Sequence, residues 1–339
     1  MIALTPKERM TALSRGEYPD RIPFMPTVIE HAAFLIGETP SAAAQVESLM
    51  ARAHIEAYRK YRPDAVTVGM DLYNIEAEAL GCRVQFYDNA SIPGIITHPF
   101  TLEDCKPSFS QDMGRIQVVL DAATAVKDAV GNEVNVSVGI CGPFSIMIEL
   151  LGFEAAIEAF YNEDNRAALL LDALLQFQKD YCTTIVSRGL DVTVFESWAS
   201  PPLISPDIYR LYALPYEREL FRYLADRNVL ARPLVIGGDT RATVDYMLMS
   251  GTTLLVSDYN TPLPLYAEKA RENFVTLRAN IDPKQVRNGD WKLIQARICE
   301  IKEQAKITPK LIAGTGVIPY DTPPEHVLRV KEMLKEAGS

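Results

Sequence analysis

The sequence is short of positive charge, of histidine and of paired cysteines, and each shortage excludes something. Lys and Arg number 34 against 44 Asp and Glu, a formal net charge of −10. Nucleic-acid binders gain most of their affinity by neutralising phosphates, so this balance argues against a phosphate-tracking surface and no nucleic-acid partner is expected. No apolar stretch approaches the ~20 residues a membrane helix needs, and no membrane partner is expected. The five cysteines, Cys82, Cys105, Cys141, Cys182 and Cys299, form no CxxC pair. Their odd number and wide spacing point away from a disulfide framework. The first ten residues carry Lys7, Glu8 and Arg9 and lack the apolar core of a signal peptide, so a cytoplasmic location with reduced thiols is expected. Apart from Cys141, the cysteines read as small buried hydrophobes. Also missing are a Gly/Ser-rich linker, a charge block that would mark a domain boundary, and a glycine-rich loop after the first apolar run.

What the chain does have is 48% hydrophobic residues, arranged as eight short apolar runs separated mostly by helical patterns. The runs are 21–27 (RIPFMPT), 65–70 (AVTVGM), 134–140 (VNVSVGI), 191–195 (DVTVF), 233–236 (PLVI), 252–256 (TTLLV), 274–277 (FVTL) and 310–313 (KLIA). Nearly continuous apolar runs suit parallel strands covered by helices on both faces. Between them, helices are predicted over 41–59 with Ser41 as N-cap, and over 154–187 with a break at 162–165. Two more are predicted over 206–225, with Ser205 as N-cap and Pro206 at the first position, and over 324–337, with Gly338 after it. Residues 99–133 are long enough to hold an extra helix. Eight βα units in 339 residues predict one (β/α)8 TIM-type barrel domain over 1–339. An open doubly wound sheet would ordinarily show glycines where Val28 to Ala33 follow the first run.

Barrel chemistry belongs to the C-terminal ends of the strands. Reading those ends gives Glu30 and His31; Asp71, Tyr73 and Asn74; Cys141 and Gly142; Glu196 and Trp198. Gly237, Gly238 and Asp239, then Asp258, Asn280 and Asp282, and finally Thr315 and Gly316 complete the circuit. Carboxyl groups therefore gather where a pocket is expected. Of four histidines only His31 directly follows a strand end; His54, His98 and His326 read as structural.

Several blocks resemble the uroporphyrinogen decarboxylase superfamily: YPDRIP at 18–23, GMDLYNIEAEALG at 69–81, CGPFS at 141–145, FESWA at 195–199, LISPD at 203–207, LPY at 214–216, NIDP at 280–283 and GTGVIPYDTPPE at 314–325. They fall in order along nearly the whole chain. The resemblance implies a distorted (β/α)8 barrel and one of two chemistries: cofactor-free decarboxylation of uroporphyrinogen, or methyl transfer to or from a corrinoid protein. The decarboxylase branch carries an arginine-rich motif after the first strand, suited to a substrate with eight carboxylates. This chain offers no arginine there before Arg52, and Glu30 would repel such a substrate. The decarboxylase tyrosine after the third strand aligns near Glu149 and its last-strand histidine at Thr315, although Asp71 matches its catalytic aspartate. The coenzyme M methyltransferases carry a zinc set, His-x-Cys after the fifth strand and a Cys in the last-strand loop. Val235 to Gly237 and Thr315 stand in those places, so a zinc-bound thiolate lacks its ligands.

The resemblance then implies a corrinoid-dependent methyltransferase that takes methyl from a small methylated donor, an O-methyl compound such as a methoxyaromatic. The runners-up are a decarboxylase of uroporphyrinogen or a related acid, and a non-catalytic barrel acting as a binding or scaffold subunit. The corrinoid (cobalamin) would be carried by a separate corrinoid protein, because no Asp-x-His-x-x-Gly pattern is present. Methyl transfer needs a positioned donor and a stabilised leaving group. Glu196, Asp71 and His31 form the expected catalytic set, with Tyr73, Asn74, Trp198, Asp239, Asp258 and Asn280 lining the substrate pocket. No metal ligand is assigned.

Overall fold

Each apolar run becomes a strand in the computed structural model, which describes residues 3–336. The strands are β1 (Phe24–Thr27), β2 (Ala65–Val68), β3 (Asn135–Cys141), β4 (Asp191–Phe195), β5 (Leu234–Val235), β6 (Leu254–Ser257), β7 (Thr276–Ile281) and β8 (Leu311–Val317). All their pairings are parallel, in two four-stranded halves ordered β2-β3-β4-β5 and β6-β7-β8-β1. A parallel bridge between Pro233 and Leu254 joins the halves on one side. On the other, the Asp64 N–H donates to the Phe24 carbonyl at 3.0 Å. The strands therefore follow one another round the barrel in chain order, as eight repeated βα units require. Every residue of β6 and β7 is buried, as are all but the first of β3 and β4, which is why the runs read as continuous rather than alternating.

The seam between β1 and β2 is locked at the N-terminal end of the strands. The Asp64 side chain accepts from the Phe24 N–H at 2.7 Å, from Arg9 Nη1 at 2.6 Å and from Arg21 Nη1 at 2.8 Å. Arg9 in turn meets Asp20 at 2.6 Å. A fully buried carboxylate thus has two guanidiniums and a backbone donor, the arrangement that makes a buried ion tolerable.

Some helix boundaries move. Residues 41–59 split into Pro40–Gln45 and Glu47–Tyr61 at an extended Val46. Thr39, not Ser41, is the N-cap: its hydroxyl accepts from the Ala42 N–H at 3.1 Å, because Pro40 is suited to the first helical position and the cap is the residue just before it. Ser41 Oγ instead accepts from the Tyr87 N–H at 2.8 Å. The break at 162–165 separates Phe153–Tyr161 from Asn165–Ser187, and Ser205 caps as expected, accepting from the Ile208 N–H at 3.3 Å. Residues 99–133 hold one helix, Ile116–Val130, rather than two. Pro99, Pro107 and Gly114 interrupt the segment before it, and a short antiparallel hairpin, Val84–Gln85 with Gly94–Ile95, takes up earlier chain. The last helix spans Pro324–Lys335; Ala337 and Gly338 lie outside the described residues. Among the described residues no helix is long and apolar enough to cross a membrane. Cys82, Cys105, Cys141 and Cys182 are buried and Cys299 is exposed.

Candidate active site

At the C-terminal ends of β3 and β4, three carboxyl groups are buried without a cation. Glu196 follows β4 and is 0% exposed. Its Oε1 accepts from the Ser145 N–H at 2.6 Å, at the N-terminus of the helix Pro143–Leu151, while Oε2 has no partner. Gly142 makes this possible: a Cβ there would collide with the Glu196 carboxyl. Glu76, from the helix Asn74–Ala79, accepts from the Cys141 N–H at 2.7 Å and from Gln178 Nε2 at 2.9 Å. Glu217 accepts from the Tyr209 hydroxyl at 2.6 Å, with Tyr209 in one wide π-type turn, Tyr209–Ala213. Among the described residues no Lys, Arg or His pairs with any of the three. Burial therefore disfavours their charged forms. It pushes Glu76 up to about 7 and Glu217 up to about 8. Glu196 is raised well above the carboxylate range by burial, and further by the nearby Glu217. Burial without a cation thus favours the protonated form of all three. The same burial raises the Cys141 thiol, so it is no thiolate nucleophile.

Asp71 has a different environment. Arg115 grips it with two hydrogen bonds, Nη1 to Oδ1 at 2.9 Å and Nη2 to Oδ2 at 2.6 Å. Arg115 also meets Glu78 at 2.6 Å. Asn74 Nδ2 bridges Asp71 Oδ2 at 2.9 Å and the Pro93 carbonyl at 2.7 Å, so both residues tie the loop after β2 to the hairpin. His31 is fully buried with both ring nitrogens engaged: Nδ1 lies 2.9 Å from the Tyr320 carbonyl and Nε2 lies 2.7 Å from the Tyr61 hydroxyl. A carbonyl only accepts, so Nδ1 carries the proton and Nε2 accepts from Tyr61. Burial lowers the His31 pKa, which keeps the ring neutral. No hydrogen bond or ion pair joins His31 to Asp71 or Glu196. The structure thus gathers Glu196 with Glu76 and Glu217, and places Asp71 and His31 in bracing networks of their own.

Nearer the opening, Ile29, Leu72 and Phe195 pack into an apolar patch with Tyr73 and Val235 against it. Tyr73 stands edge-on to Phe195 with ring centroids 6.3 Å apart, and its hydroxyl bonds Ser197 Oγ. Trp198 packs on Phe153 and donates from Nε1 to Glu149 Oε1 at 2.7 Å. Asp258 Oδ2 accepts from the Gly238 N–H at 3.0 Å, and Asp239 pairs with Arg241. The Asn280 Oδ1 is buried and has no partner. Among the described residues no three His, Cys, Asp or Glu side chains come together as a metal-ligand group.

Sequence reasoning missed Glu76, Glu217, Tyr209 and Arg115. The signal for Glu217 was available: it falls on the same helical face as Leu214, Leu220, Phe221 and Leu224, all buried, and an acid on an apolar face is out of pattern. Arg115 carried no such signal, since it meets Asp71 across 44 residues of chain.

A parallel eight-stranded barrel with polar side chains gathered at the C-terminal strand ends belongs to the class of (β/α)8 enzymes. Within that class, the chain is a member of the uroporphyrinogen decarboxylase (URO-D) family, whose profile matches residues 5–337. It is 28% identical to the methylcobamide:CoM methyltransferase MtbA of Methanosarcina mazei, covering 99% of both chains. To the methylcobamide:CoM methyltransferase MtaA of Methanosarcina barkeri it is 24% identical over 96% of both. A uroporphyrinogen decarboxylase of Acidiphilium cryptum is 28% identical over 58% of this chain and 56% of its own. In fold, the structure matches a methyltransferase from Methanosarcina mazei with a TM-score of 0.84 at 23% identity, covering 98% of each chain.

Proposed function

We propose that the protein is a corrinoid-dependent methyltransferase that moves methyl from a small O-methyl donor, such as a methoxyaromatic, to the cobalt of a separate corrinoid protein in the cytoplasm. The observation that carries this reading is similarity to methylcobamide-using enzymes along essentially the full length of both chains. The composition of the opening agrees with it. It is acidic and apolar, without the arginines that a polycarboxylate substrate would need after β1.

In such a transfer the C–O bond breaks, its electron pair stays with the leaving oxygen, and that oxygen is stabilised by a proton. The reduced corrinoid supplies the nucleophile when its carrier docks over the opening. The chain's own residues do the rest. Ile29, Leu72, Phe195 and Tyr73 seat the methylated ring. The Tyr73 and Ser197 hydroxyls, already bonded to each other, face the leaving oxygen, and protonated Glu196 behind them is the acid. Asp71 and Asn74 position the Tyr73 segment through Arg115 and the hairpin. His31 positions the strand-end loops after β1 and β8. Trp198, Asp239, Asp258 and Asn280 complete the wall that orients the donor.

The test is to mix the protein with a reduced corrinoid protein and a panel of methoxyaromatics, and to follow methylcobalamin absorbance. Absorbance that depends on both protein and donor supports the reading. No methylcobalamin with any donor, together with coproporphyrinogen formed from uroporphyrinogen, overturns it in favour of a decarboxylase. Failure of both assays, with no small molecule bound, overturns it in favour of a scaffold.

A further inference from the structure

Strand β7, TLRANI, places one charged side chain inside an otherwise apolar and hydroxyl-lined barrel. Arg278 is 8% exposed. Its Nη2 donates to the Met25 carbonyl at 2.9 Å, to the Thr315 carbonyl at 3.0 Å and to Thr27 Oγ1. Its Nε has no partner, and among the described residues no carboxylate lies within ion-pair distance. Arg9, Arg21 and Arg115, by contrast, each have one. Carbonyl dipoles cover one edge of the Arg278 guanidinium but supply no full counter-charge. Desolvation lowers its pKa to about 10, so the group remains a cation at neutral pH.

The cation borders a void. A cavity of about 60 Å³ lies in the barrel core, bounded by Ile29 and Phe195 of the apolar patch. Arg278 is the one charged residue in its wall apart from neutral His54, and no Asp or Glu takes part. Hydroxyls complete the lining. Thr67 and Thr193 both border the cavity, and the hydroxyl of each lies 3.0 Å from Ser137 Oγ, so the same wall carries rotatable hydroxyl groups. Gly314 keeps the arginine in place: a Cβ there would collide with Arg278 Nε and with the unpartnered Asn280 Oδ1.

We propose that this cavity is a subsite for a carboxylate-sized monoanion, held by Arg278 and the Thr67 and Thr193 hydroxyls. A buried cation without a counter-ion, hydroxyl groups and a mainly apolar void of this volume suit such a ligand. The anion comes either as a small free carboxylate or as the acid end of a larger molecule whose apolar body rests on Ile29 and Phe195. The subsite stands whether or not the protein transfers methyl groups.

Binding is measured on the intact protein by calorimetry and thermal melting in a carboxylate-free buffer, with formate and benzoate as probes. Sulfate, a larger dianion, matches the ionic strength. Saturable binding of formate identifies a free-anion site, whereas binding of benzoate alone identifies the acid end of a larger ligand; either supports the subsite. Arg278→Gln should weaken binding at least tenfold, and Thr193→Val should weaken it severalfold in a protein with its charge intact. No saturable response of the wild type to either probe overturns the proposal. So does unchanged binding in Arg278→Gln. Should that variant fail to fold, the wild-type isotherm and Thr193→Val still decide.

Discussion

Asp64 and Glu196, at opposite ends of this barrel, are buried carboxyls with opposite surroundings. At the N-terminal end, Asp64 has a fully buried side chain met by Arg9 and Arg21. At the C-terminal end, Glu196 is equally buried but is met by Ser145 and no cation, with Glu217 and Glu76 for neighbours. Burial alone therefore does not set the state of an acid; the partner does. The Asp64 pairing closes a seam. Around Glu196, Glu76 and Glu217, burial without a cation favours the protonated forms, whereas Asp71 at the same end of the barrel is held by Arg115.

The comparison can be broken first at Asp64. Asp64→Asn keeps the shape but leaves Arg21 without its carboxylate and Arg9 with Asp20 alone, and a loss of about 3 kcal/mol is expected in urea unfolding. A loss below about 1 kcal/mol would show that the arginines find other partners and that the paired end is less ionic than it looks. Glu196→Gln is the matching change at the other end. Its amide oxygen still accepts from Ser145, so stability at pH 7 should change by less than about 1 kcal/mol. Methyl transfer should fall by about 10²–10⁴ if the acid is the proton source. Turnover that stays unchanged removes Glu196 from the proposed role.

The pH dependence sharpens the contrast. Glu76 and Glu217 have folded pKa values raised to about 7 and about 8, above the ordinary carboxyl value in the unfolded chain. Their stabilising contribution is full below that ordinary value. It is lost as pH rises through the folded pKa, because the unfolded chain gives up its protons first. Thermal stability should therefore decline between about pH 5 and pH 8, each group costing about 1.4 kcal/mol per pH unit at most within its window. Glu217→Gln should flatten the upper part of that decline; an identical profile would mean that Glu217 is not the titrating group. The smallest effect is expected from Tyr209→Phe. It removes one neutral hydroxyl donor to Glu217 and should cost about 1 kcal/mol, read as a shift in the denaturation midpoint at unchanged slope.

Much of the fold was legible because strand burial is written locally. Runs such as DVTVF at 191–195 and AVTVGM at 65–70 are apolar at consecutive positions, and no tertiary knowledge is needed to see it. The order of strands followed from repetition of the βα unit. Helix starts were legible where proline and a hydroxyl residue coincided, as at Ser205 and Pro206. At Thr39 the same signature was present but was read two residues late. The hairpin before Ile116 was not visible, since two-residue strands carry no periodic pattern.

The candidate site was legible as a set of positions and not as a set of states. Chain order puts Glu196, Asp71 and His31 at strand ends, and that placement follows from local pattern plus barrel topology. What each does depends on partners far away along the chain. Asp71 meets Arg115 across 44 residues, Glu76 meets Gln178 across 102, and Arg9 meets Asp64 across 55. Sequence by itself determined the element order, the barrel and the acidity of its opening, because hydrophobic period and residue type act over a few neighbours. Only the tertiary structure decided which acids meet a cation and which are buried without one, and left Arg278 without a carboxylate. The state of a buried ionisable group is set by the charges and dipoles within a few ångströms, and folding chooses those from anywhere in the chain.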